Sequence, residues 1–199
     1  MRPDRMALRI PVKCLVFTAV MSAVGNVLSA ISILLVPIAP AVPIGPITIS
    51  VSFDMSHLAT FLGAVQFGSS IGGLTGLVSG LVASYEYGFS KGNIINGLAI
   101  PIGKAITGIT AGLLLKVLRF QRGKRKNILF LLPSIAYFPE AAYTALVFLV
   151  VLPQVVGVPS AMFYPVLVVI LTKAWIEMII IGLLLVAILN SGILNALSR

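Results

Sequence analysis

Stretches of about twenty or more mostly apolar residues follow one another along this chain. That is the length an α-helix needs to cross the roughly 30 Å hydrocarbon core of a bilayer. One water-soluble core could not bury them all. The charge content agrees: of 199 residues 59% are hydrophobic and 10% charged, with a mean hydropathy of +1.11. A soluble domain carries roughly 25% charged residues because its surface faces water. Soluble enzymes, nucleic-acid-binding domains and disordered chains are therefore excluded, and the sequence predicts an integral membrane protein.

The first span runs about 13–36. Its apolar stretch, Cys14 to Val36, is too long for a signal-peptide core of roughly 7–15 residues, so it reads as a retained helix. Pro37, Pro40, Pro43 and Pro46 then forbid helix over an apolar segment, which predicts a stiff loop on or in the membrane surface. From Val51 to Ser84 the chain is apolar for 34 residues, with a glycine-rich stretch at 68–73. One long helix there would put the basic cluster at 116–126 on the opposite side from the basic N-terminus. A hairpin, 51–67 and 70–84, puts both on one side, as the excess of Lys and Arg in cytoplasmic loops demands. Further spans fall at about 93–118, 128–152 and 160–189.

The expected fold is all-α: a single domain, 1–199, of six transmembrane helices with both termini cytoplasmic. Of the 14 Lys and Arg residues, 11 fall inside, Lys91 falls outside, and Lys104 and Lys173 lie within spans. The net charge of +9 thus reads as topology bias and attraction to anionic membrane lipid, with no nucleic-acid partner. Cys14 is the single cysteine, which excludes an intramolecular disulfide and a Cys-rich metal site. No internal repeat is visible. Small residues recur at four-residue spacing in Ala19/Ala23, Gly72/Gly76/Gly80 and Gly108/Gly112. Such spacing lets helix backbones approach closely, within the chain or against another subunit.

An ionisable group at bilayer depth costs on the order of 2.5–3.5 kcal/mol or more, so each is a candidate functional residue. Lys104, Glu140, Lys173 and Glu177 lie deep. Lys104 shares a helical face with Pro101, Thr107, Gly108 and Ala111; Glu140 shares one with Tyr137, Tyr143 and Thr144. Lys173 and Glu177, four residues apart, can pair with each other. These charges either bind a ligand or only hold the helices in register. Read as a site, Lys104, Glu140 and Lys173 converge on a pocket between the fourth, fifth and sixth helices. There Tyr137 and Tyr143 stack on or hydrogen-bond a ligand, while Glu177 lies too far inward to touch it. Asp54 and His57 are expected near the outer mouth of the second span, capping the helix or lining an opening. One Asp and one His fall short of the three or four ligands of a metal site. His57 is the only imidazole and no carboxylate pair or P-loop is present, so an enzyme is not expected, nor is any cofactor or metal.

Six short spans, an apolar Pro-rich first loop, Ala19-x-x-x-Ala23, Phe53-Asp54-Met55-Ser56-His57-Leu58 leading into a glycine-rich hairpin, and Gly103-Lys104-Ala105-Ile106-Thr107-Gly108 before a basic loop form an ordered set. In that order they resemble the S-component of an energy-coupling factor (ECF) transporter, over nearly the whole chain. The resemblance implies a multi-pass cell-membrane subunit that captures a small vitamin-like micronutrient in its outer half. It also implies release on association with a transmembrane coupling subunit and two ATPase subunits, with Ala19 and Ala23 docking on the coupling subunit. The contrasting expectation is a stand-alone proton-coupled carrier or channel with Glu140 and the lysines as a relay.

Overall fold

The computed structural model describes residues 11–35, 41–44, 47–50, 53–118 and 126–191. Much of the charge tally behind the expected topology, including Arg2, Arg5, Arg9, Arg122 and Arg199, lies outside the described residues. So do Pro37, Pro40 and Pro46 of the Pro-rich loop.

The architecture is helical. In chain order it contains α1 (Val12–Leu35), a ribbon of β1 (Ala41–Ile44) and β2 (Ile47–Ser50), α2 (His57–Phe67), α3 (Ser69–Ser79), α4 (Leu81–Tyr87), α5 (Ile94–Val117), α6 (Lys126–Ala136), α7 (Phe138–Leu146), α8 (Leu152–Val156) and α9 (Tyr164–Asn190). A π-turn, Val147–Val151, joins α7 to α8. Among the described residues four helical runs are long and apolar enough to cross a membrane: Val12–Leu35, Ile94–Val117, Ile128–Val156 and Ser160–Asn190. The loop after α1 is more regular than its prolines suggest. β1 and β2 pair antiparallel from Ala41↔Ser50 to Ile44↔Ile47. Ile47, Thr48 and Ile49 are β-branched, and in a two-stranded ribbon Pro43 sits on an edge, where a missing N–H is tolerated.

Within the glycine-rich stretch the chain reverses at Gly68, whose φ of 87° suits a residue without Cβ. α2 and α3 then run antiparallel, with Thr60 Oγ1 3.4 Å from Ser79 Oγ. α2 begins at His57, six residues later than the span expected from 51. Asp54 is the reason: its Oδ1 accepts the Ser56 N–H at 2.9 Å, an Asx turn that starts the helix there. At about 1.5 Å per residue, α2 is only about half a bilayer long.

Packing depends on small residues. α1 buries Thr18, Ser22, Gly25, Ser29 and Ser32 at alternating four- and three-residue steps against the α2–α4 segment. α3 and α5 come closer still: a Cβ on Gly72 would stand 2.7 Å from the Gly108 carbonyl oxygen. The four-residue glycine spacing in α3 and α5 thus serves packing within the chain. Asn26 of α1 enters the α3–α4 junction at Gly80. Its Nδ2 donates to the Val78 carbonyl (2.8 Å) and its Oδ1 accepts the Val82 N–H (3.0 Å). Those two groups would otherwise bond each other along a helix, so the amide accounts for the break. A core of Phe61, Leu132, Met178, Ile181 and Leu185 joins α2, α6 and α9. Trp175 packs at its edge, its ring 5.7 Å from that of Tyr137.

Candidate functional site

Lys104, Glu140, Lys173 and Glu177, deep in the long helical runs, meet around one cavity of about 430 Å³. α5 supplies its wall from Asn96 to Lys104, α9 from Val166 to Glu177, and the α6–α8 run from Tyr137 to Phe148. These are the N-terminal halves of α5 and α9. Ser32, near the C-terminal end of α1, and Tyr87, at the end of α4, lie at the same end. Lys13 and Lys116 belong to the opposite helix ends.

Local sequence places the side chains. Pro139 has no N–H to give the preceding turn, and the run breaks at Tyr137, so Glu140 falls in the first turn of α7. Gly103 leaves room for it: a Cβ there would meet Glu140 Oε1 at 3.1 Å. Lys104, near the middle of α5, is 3% exposed. Its Nζ donates to Asp54 Oδ2 at 3.0 Å and to the Ser56 hydroxyl. Asp54 also accepts from Ser29 Oγ (3.0 Å), and its own N–H donates to Glu177 Oε1 (2.8 Å). One aspartate therefore ties the start of α2 to α1, α5 and α9. Burying an ammonium without a partner would be costly, and this carboxylate compensates it.

Glu140 accepts from the Thr107 hydroxyl, and its Oε1 lies 3.7 Å from His57 Nε2. His57 is 6% exposed and its Nδ1 has no hydrogen-bond partner; Asn96 Oδ1 is likewise buried and unpartnered. Lys173 Nζ stands 3.7 Å from Glu177 Oε1, the i,i+4 pair anticipated from spacing. The Tyr137 ring packs edge-on to His57 at 6.4 Å.

All seven residues expected to bind a ligand line this cavity: Lys104, Glu140, Lys173, Tyr137, Tyr143, Asp54 and His57. Three details differ from the expectation. Asp54 and His57 are not at an outer mouth: α2 starts late, and both sit level with the middle of α5 and α9. Glu177 is not too far inward, because it lines the cavity and bonds the Asp54 backbone. The enclosure is also wider than the fourth to sixth helices, since the segment before α2 closes one side. Ser56, Thr107 and Asn96 were not singled out as site residues. Thr107 carried a signal, three residues from Lys104 on the same face; Ser56 and Asn96 carried none beyond being polar. Among the described residues no group of three or more His, Cys, Asp or Glu could hold a metal ion.

Ala19 and Ala23 are exposed on α1, on the side away from the Ser22–Gly25–Ser29 seam.

Comparison with known proteins gives one family. The model of the ECF transporter substrate-specific component matches residues 13–189. A solved S component of a bacterial ECF transporter shares the fold, with a TM-score of 0.60 at 23% identity, covering 94% of this chain and 98% of the other. No curated protein matches by sequence.

Proposed function

Because the chain belongs to the family of ECF transporter substrate-specific components, we propose that it captures a small vitamin-like molecule in this cavity and passes it to an energising module. It is a multi-pass membrane transport subunit; the substrate, the sidedness and the partner subunits are the proposed part. The observation that carries the proposal is the cavity itself. Apolar and aromatic walls surround a few converging charged groups, which is how small-molecule sites are built, and 430 Å³ falls within the usual ~300–1,000 Å³. Lys104, Glu140, Lys173, Tyr137, Tyr143, Asp54 and His57 are the proposed contacts.

Sidedness follows from charge. The cavity lies toward the helix ends opposite Lys13, Lys116 and the basic connection after α5, the ends that favour the cytoplasm. We place the cavity mouth outside, with the ribbon β1–β2 beside it, and both termini in the cytoplasm of a six-span cell-membrane protein. α2 and the α3–α4 pair are the second and third spans in this arrangement. Ala19 and Ala23 form the docking face for a transmembrane coupling subunit, which carries two ATPases. Membership of a transport-subunit family does not favour the stand-alone carrier.

Two measurements test this. Mass spectrometry of small molecules released from the purified chain should find one stoichiometric organic ligand. Affinity purification from native membranes should bring down a coupling subunit and two ATPases. An empty chain that transports alone under a pH gradient would overturn the proposal.

A further inference from the structure

We propose that the ligand of this cavity is a small organic cation bearing N–H donors, held by Glu140; this rests on the capture role above and names its chemical class. The first ground is charge balance. Among the described lining residues, three carboxylates (Asp54, Glu140, Glu177) face two ammonium groups (Lys104, Lys173). Lys104 is taken up by Asp54 at 3.0 Å and by the Ser56 hydroxyl, and Lys173 stands 3.7 Å from Glu177. Among the described residues no lysine or arginine pairs with Glu140, which Lys104 reaches only through space; its one hydrogen bond there is from the Thr107 hydroxyl, with the His57 ring 3.7 Å away. A buried carboxylate without a counter-charge is costly, and a cationic ligand would supply one.

The second ground is hydrogen-bond polarity. A neutral imidazole has one donor and one acceptor. His57 Nε2 faces the Glu140 carboxylate at 3.7 Å, and the tautomer protonated on that side leaves Nδ1 an acceptor, buried and unpartnered. Asn96, which also lines the cavity, carries a second buried acceptor without a donor, its Oδ1. A doubly protonated His57 would balance Glu140, but it would leave a buried N–H with nothing to accept it. What the cavity lacks is a positive charge and hydrogen-bond donors, which protonated amines and amidines bring together. Tyr137, Tyr143 and Phe148 supply flat apolar surface, and aromatic faces attract cations as well.

The test uses three probes of one shape: benzamidine (cation), benzamide (neutral) and benzoate (anion), each titrated calorimetrically into the full chain in lipid nanodiscs. Benzamidine should bind about tenfold or more tighter than benzoate, a difference of about 1.4 kcal/mol. Glu140→Gln should abolish that order. The order is read on the unaltered chain, so it decides the matter even if Glu140→Gln fails to fold. Benzoate binding as tightly as benzamidine, or no binding by any of the three at millimolar concentration, overturns the inference. A neutral or anionic molecule found in the purified chain would do the same while leaving the capture role standing. An empty chain that associates with no ATPases would remove the capture role, whatever the probes do.

Discussion

The two sides of α5 solve opposite problems with the same few residue types. Toward α3, glycines put one backbone against another, and nothing larger than hydrogen fits at Gly72 or Gly108. Toward α7 and α9, side chains stand apart around 430 Å³ of open space. Polar groups follow the division. On the tight side Ser22, Asn26 and Ser79 direct hydrogen bonds to backbone carbonyls, and one buried hydroxyl, Thr75 Oγ1, is left without a partner. On the open side Lys104, Asp54, Glu140 and Glu177 bond chiefly to one another's segments, and two acceptors stay unmet. A bundle in lipid gains no hydrophobic drive between helices, so the close side supplies cohesion through packing. That cohesion lets the other side remain a cavity.

The largest effect should come from breaking the tight side. Gly108→Leu drives a side chain into the Gly72 backbone, which cannot step aside as a flexible side chain would. Overpacking usually costs about 1–3 kcal/mol, and backbone opposing backbone belongs at or above the top of that range. The variant should lose folded yield, or unfold at a clearly lower temperature in detergent. Unchanged melting would mean that α3 and α5 are not held by close approach.

Next in size is Asn26→Leu. It removes the amide from the α3–α4 junction and leaves the Val78 carbonyl and the Val82 N–H without their partner. An unmet buried backbone group costs about 1–3 kcal/mol, and re-forming the helical bond between these two could recover part of it. Expected is a loss of about 2 kcal/mol in unfolding stability, with ligand affinity little changed. A variant as stable as the parent would show that the junction simply straightens.

These two sites also mark how far the sequence could be read. Glycines at four-residue spacing predicted close helix contacts, because spacing along one helix is local information. So was the membrane class, set by apolar length, and so were the residues on the cavity, because charges within apolar runs stand out. Their partners were not legible. Asp54 and Lys104 are fifty positions apart, and no periodicity says that they meet. The same carboxylate starts α2 late through the Ser56 N–H; a cap there was expected, but not the shift in depth that takes Asp54 and His57 from an outer mouth to the middle of α5 and α9. Nothing local marks Asn26 either, since only the fold brings the Gly80 break beside it.

On the open side the effects should be smaller in stability and larger in function. Glu140→Gln keeps shape and can still accept from the Thr107 hydroxyl, so unfolding stability should change by less than about 1 kcal/mol, since only the contact with a distant imidazole is lost. Affinity for the native ligand should fall about tenfold or more, the usual scale for a charge-assisted bond of ~1.5–3 kcal/mol. Calorimetry and thermal melting on the same preparation separate the two. Intact binding together with early melting would make the Glu140 network structural, and the contrast between the two sides of α5 would disappear.

The smallest effect on the isolated chain should come from Ala19→Leu. Ala19 is exposed on α1, and its neighbours Val16, Val20 and Val24 already present large apolar side chains outward. One more leucine there meets lipid, so stability should stay within about 0.5 kcal/mol and ligand affinity should not move. Yet Ala19 and Ala23 leave a shallow strip on an otherwise valine-rich face, the shape a second helix needs to approach closely. Filling that strip should reduce recovery of the coupling subunit and ATPases from native membranes, while purified protein still carries its ligand. Unchanged assembly would place the docking face elsewhere on the bundle. Loss of folding would instead mean that small-residue spacing on α1 works as it does between α3 and α5, within the chain.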